Sequence, residues 1–172
     1  DEQIEWRGLV ADPTSGVDVR FTAHANIDSE PGYDYSHIRY LNRDGEMDAV
    51  SFDGLNPNQL IDVQFSLEPE DYQGEGADEV VVRVAFTSDG AWSDEDCLYT
   101  TAGAIQIDDI TVTLDQGTDP VTSFTDFEEG WGDWGVTFPP GVGDFAQLWT
   151  NLNDLDPCVS NPSPQVAFID DG

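Results

Sequence analysis

Carboxylates are the residues of this chain best able to do chemistry, and they are clustered. The stretch "SDGAWSDEDCLY", residues 88 to 99, holds Asp89, Asp94, Glu95 and Asp96 and no base. Acids this dense repel one another unless water, salt or a cation screens them. An adjacent pair, Asp108 and Asp109, follows in "GAIQIDDITVTL". Oxygen ligands of this type suit a hard divalent cation. The loop at 88–99 is not an EF-hand, which needs D-x-[DN]-x-[DN]-G, a closing Glu and flanking helices. A solvated acidic loop is its plain reading, and a second cation cluster of Asp89, Asp94 and Asp96 is the alternative.

Other chemistries fail at the inventory. His24 and His37 are the only histidines, and the sequence has no HExxH, no G-x-S-x-G and no Gly-rich phosphate loop. Pairs of carboxylates can hydrolyse glycosides, but with 36 acids in the chain almost any pair can be nominated, so the expectation is no enzyme. Cys97 and Cys158 lack CxxC spacing, which argues against a zinc knuckle and leaves a single disulfide between them open. The charge is −31, with 25 Asp and 11 Glu against five Arg and no Lys. A grip on nucleic acid or on an anionic membrane needs a basic face, so divalent cations are the natural partners. The same composition suits a salt-adapted surface, which accounts for the number of acids but not for their clustering. No apolar run is long enough to span a bilayer and no leader is visible; an exported protein could have lost one. Aromatic residues offer a rival function, since Trp92, Tyr33 and Tyr35 could present rings to a carbohydrate.

Strands must position these groups. Apolar residues alternate in "GVDVRFTAHA" and "LIDVQFSL", and "VVVRVAF" at 80–86 is apolar on both faces, as a central strand covered on both sides would be. Turn-rich stretches such as "SEPGYD", "NRDGE", "LNPNQ" and "YQGEGAD" separate them. No amphipathic helix is evident, and the expected fold is an all-β, antiparallel two-layer jelly-roll-like sandwich. In 103–114 the parity changes: Ile105 and Ile107 share one phase, and Ile110, Val112 and Leu114 the other. One extra residue must be absorbed at Asp108 and Asp109, which predicts a β-bulge re-aiming one of the two carboxylates. A metal ligand and an edge-protecting bulge with solvated acids are both consistent with it. His24 falls on the polar parity of its strand and His37 precedes "IRY"; both read as surface residues.

"FTDFEEGWGDW", then "LWTN" and "NPSPQVAF", resembles the opening of the jelly-roll modules similar to MAM domains that accompany secreted bacterial immune-inhibitor-type metallopeptidases. "DVRFTAHANIDSEPGYDYSHIRY", "SDGAWSDEDCLY" and "GAIQIDDITV" resemble the middle and end of such a module. The boundaries are out of phase: residues 1–114 read as the middle and end of one module, 115–123 as a linker, and 124–172 as the opening of the next module or as complementing strands of the same sandwich. The resemblance implies a structural calcium ion held by Glu128 or Glu129 and by Asp108 or Asp109. It further implies an extracellular or cell-surface setting, with a structural or adhesive role in a larger exported protein. Expected partners are a divalent cation, a carbohydrate or protein surface ligand, and further copies of the chain through strand donation, with no nucleic acid and no membrane insertion.

Overall fold

The computed structural model describes residues 2–88, 105–117, 119–137 and 166–167. Among the described residues ten strands follow one another: β1 (Glu2–Leu9), β2 (Val17–Asp28), β3 (Tyr35–Asn42), β4 (Gly45–Phe52), β5 (Leu55–Leu67), β6 (Glu79–Thr87), β7 (Ile105–Asp115), β8 (Val121–Thr125), β9 (Trp134–Thr137) and β10 (Val166–Ala167). One sheet has the order β4-β3-β6-β1-β9. The other has the order β10-β7-β2-β5, with β8 also on β7. The pairings are antiparallel except for β10, whose two residues from "QVAFI" run parallel to the start of β7. Most connections cross between the layers, so the chain is an all-β, jelly-roll-like sandwich. The described strands after residue 120 pair with strands before it: β8 joins β7 and β9 joins β1.

Strict alternation supplies the core. Along β2 the even-numbered positions face outward, and Val17, Val19, Phe21, Ala23, Ala25 and Ile27 are buried. Phe21 meets Trp134 of β9 edge-on, with ring centres 6.4 Å apart, which ties the two layers together. Val80, Val82 and Val84 of β6 face this core while Val81 and Ala85 are fully buried on the opposite side. The strand is thus central and covered on both faces, as its sequence predicts. Gly8 is fixed by packing rather than by a turn: a Cβ there would lie 2.0 Å from the Trp6 ring, which passes over it.

The outward side of the first sheet carries a continuous chain of charges. Glu5 of β1 lies opposite Arg83 of β6, and Arg83 lies opposite Arg39 of β3. Arg7 bridges Glu79 and Glu5, each at 2.6 Å. Arg83 bridges Glu5 at 2.7 Å and Glu46 at 2.8 Å, and Arg39 bridges Glu46 at 3.3 Å and Asp48 at 2.6 Å. Three of the five arginines therefore neutralise one file of acids, and the arginine stems help cover the sheet.

Two local expectations are corrected. "LNPNQ" is not a loop between strands: β5 runs through it, because Pro57 sits on an edge strand and Asn58, at φ 52°, absorbs an extra residue opposite Asn26. His37 is not a surface residue. It is 7% exposed, faces Ala85, and its ring nitrogens pair with Ser51 Oγ at 2.8 Å and Thr87 Oγ1 at 2.9 Å.

Candidate functional site

The parity change in β7 is a bulge. Thr22 of β2 pairs with Thr111 and His24 pairs with Asp108, so Ala23 alone spans Asp109 and Ile110. Asp109 takes the left-handed conformation, φ 52°, which Asp tolerates better than most residues. Asp108 Oδ1 supports it by accepting the Asp109 backbone N–H at 2.8 Å. The re-aimed Asp109 carboxylate meets His24 Nδ1 at 3.1 Å on the outer face of the second sheet.

The same strand end receives the second acidic motif. Ile110 pairs with Thr125, the last residue of β8, and the chain then turns through Asp126 to Gly130. In that turn Asp126 Oδ1 accepts the Glu128 N–H at 3.2 Å, and Phe127 packs edge-on against Trp131 at 6.4 Å. Both rings lie against the core and anchor the turn. Gly132 is required where the turn returns, since at φ 56° any Cβ would come within 2.7 Å of the Thr125 hydroxyl. Register therefore brings Asp108 and Asp109 to the same end of one hairpin as Glu128 and Glu129, whose residues are exposed.

A second bulge lies across β2 from the first. Asn58 N–H donates to Asn26 Oδ1 at 2.8 Å, and the paired irregularities leave a depression of about 240 Å³. His24, Asn26, Asn58, Gln59, Asp108 and Asp109 are among the residues that line it. Its amides and carboxylates suit hydroxyl groups as well as water or a cation. The sequence held a signal for only half of it, because the bulge at Pro57 and Asn58 has the composition of an ordinary turn.

The remaining candidates are dispersed. Tyr33 is 58% exposed on the turn before β3, and Tyr35 stacks on His37 with centres 6.1 Å apart. Asp89, Trp92, Asp94, Asp96, Cys97 and Cys158 lie outside the described residues. Among the described residues no group of three or more His, Cys, Asp or Glu side chains converges as a metal cage. The hairpin-end acids have the right chemistry for calcium but do not complete its shell by themselves; main-chain oxygens and water commonly supply the rest. No known family model matches the chain, and no curated protein is found similar to it.

Proposed function

We propose that this protein is a non-catalytic, extracellular β-sandwich module with a structural or adhesive role in a larger exported protein, stabilised by calcium. The observation that supports the reading is the β7–β8 register, which pairs Ile110, next to Asp108 and Asp109, with Thr125, from which the chain turns through Glu128 and Glu129, so motifs about twenty residues apart in sequence meet the same end of one hairpin. A cation bridging these segments would fix the bulge to the turn and offset part of the −31 charge. Ions that bind only the folded state raise its stability by mass action. The test compares melting in chelator, in calcium, and in sodium chloride of matched ionic strength. Calcium should raise Tm beyond the salt control; an equal effect from sodium chloride reduces the stabilisation to charge screening.

The depression between the two bulges favours a second reading, carbohydrate binding. Hydroxyl groups of a sugar would exchange hydrogen bonds with Asn26, Gln59 and Asp108, a set different from the aromatic platform suggested by Trp92, Tyr33 and Tyr35. Titration of the amide NMR signals with soluble gluco-, xylo- and chito-oligosaccharides checks it. Saturable shifts at residues 24–26, 58–59 and 106–109 support the reading, and their constancy across the panel removes it.

A further inference from the structure

A buried acid with an unpartnered oxygen lies at a different place. Among the described residues the buried side-chain atoms without a hydrogen-bond partner are Trp6 Nε1, Thr137 Oγ1 and Asp34 Oδ1, and of these only the last belongs to an acid. Asp34 is 8% exposed and closes the turn between β2 and β3. Its main chain is well anchored: Asp34 N–H donates to Glu30 O at 3.1 Å, and Ser29 Oγ donates to Asp34 O at 3.1 Å. The turn is in turn clipped to the β4–β5 crossover. Gly54 N–H donates to Ser29 Oγ at 3.1 Å, Ser29 N–H to Gly54 O at 3.3 Å, and Gly32 N–H to Asp53 Oδ2 at 2.8 Å.

An enclosed carboxylate oxygen with neither donor nor counter-charge is costly, and buried charges are as a rule paired or bound to metal. The chain has no basic side chain to give it. Lys is absent, and the five arginines are bound to Glu5 and Glu79, to Asp62, to Glu46 and Asp48, to Glu70, and to Glu5 and Glu46. His24 is on Asp109 and His37 lies between Ser51 and Thr87. The neutralising charge has to come from solution.

From this we infer that Asp34 Oδ1 is the interior ligand of a calcium site at the clipped β2–β3 and β4–β5 turns. Calcium accepts irregular shells of carboxylate, main-chain carbonyl and water, whereas magnesium holds its own waters and demands octahedral geometry, a poor match to a single enclosed oxygen. The cation staples two crossovers at one end of the sandwich. This site is separate from the hairpin-end acids and does not depend on them.

The experiment follows amide NMR signals of the wild-type chain during a calcium chloride titration in 0.5 M sodium chloride, alongside melting of Asp34→Asn and Asp109→Asn. Saturable shifts at Ser29, Gly32, Asp34 and Gly54 are expected. At calcium about 100-fold above Kd the wild type and Asp109→Asn should gain about 5–10 °C in Tm. Asp34→Asn should lose this gain while melting in chelator no lower than wild type, because it removes an uncompensated charge. Unmoved signals at 29–34 and 54, or a full calcium gain in Asp34→Asn, overturn the inference. Shifts confined to 108–110 and 126–130 overturn it while sustaining the hairpin-end reading; shifts confined to 29–34 and 54 do the reverse, and no shift anywhere removes both.

Discussion

Arg83 holds the middle of the charge file on the first sheet, and replacing it with Met tests whether that file stabilises the fold. The Glu5 side chain is only 5% exposed; it accepts from Arg83 Nε at 2.7 Å and from Arg7 Nε at 2.6 Å, and Arg83 Nη2 lies 2.7 Å away in the same ion pair. Arg83→Met removes one charge-assisted hydrogen bond and its ion pair from a nearly buried carboxylate. Breaking a buried pair on one side costs about 3–5 kcal/mol. Arg7 remains, and a Met stem keeps most of the Arg packing, so about 2–4 kcal/mol is expected. The Glu46 contact adds little, because that side chain is 32% exposed. For a chain of this size the loss corresponds to a fall in Tm of roughly 5–15 °C. Urea denaturation at pH 7 is the assay, since guanidinium would screen the charges under study. A cycle with Glu5→Leu supplies the coupling: the double variant Glu5→Leu, Arg83→Met should recover most of the lost stability, because no charge is then left buried. A loss below about 0.5 kcal/mol, or one abolished by 1 M sodium chloride, would refute the reasoning by showing that the file behaves as an exposed surface pair.

Other perturbations follow from the same packing. Burial is the main cause holding the His37 imidazole below its usual value, and the nearby Arg39 charge acts in the same sense against Asp48 and Glu46. Because the unfolded chain binds this proton at higher pH than the folded chain, stability is fully present above about pH 6.5 and falls as pH drops from there toward the folded-state pKa. His37→Gln should flatten that part of the stability–pH curve measured by urea melts. Gly8→Ala drives a Cβ into the Trp6 ring at 2.0 Å, so it should cost about 1–3 kcal/mol and alter Trp fluorescence in the folded state. Phe21→Ala removes a fully buried ring that touches Trp134 and should cost about 3–5 kcal/mol, read from the same urea melts.

Legibility in this sequence tracks how local the determinant is. The bulge at Asp108 and Asp109 could be read because side-chain parity in a strand is a local code: a burial phase that switches between Ile107 and Ile110 admits one extra residue and nothing else. The double-sided burial of Val80–Phe86 could be read for the same reason. The matching bulge at Pro57 and Asn58 could not, since Pro followed by Asn in the left-handed region has the composition of a turn; only its pairing to Asn26 makes it part of a strand. His37 fails the same way. Its burial follows from lying opposite Ala85 on a strand covered on both faces, a register fixed by residues almost fifty positions away.

The acids show the same divide with greater consequence for function. Composition made every carboxylate a candidate and separated none of them, because a charge of −31 is compatible with a wholly solvated surface. Structure separates them by the cations they already hold. Glu5, Glu46 and Asp48 are bound to guanidinium groups, Asp109 faces an imidazole, and Asp34, in the turn before β3, has one oxygen enclosed and unpartnered. With five arginines and no lysine the internal supply of positive charge is exhausted by the file on the first sheet and by Arg20 and Arg43. A further buried carboxylate therefore finds no side-chain cation left to pair with it, and this is why the cation dependence proposed for Asp34 is the property to measure.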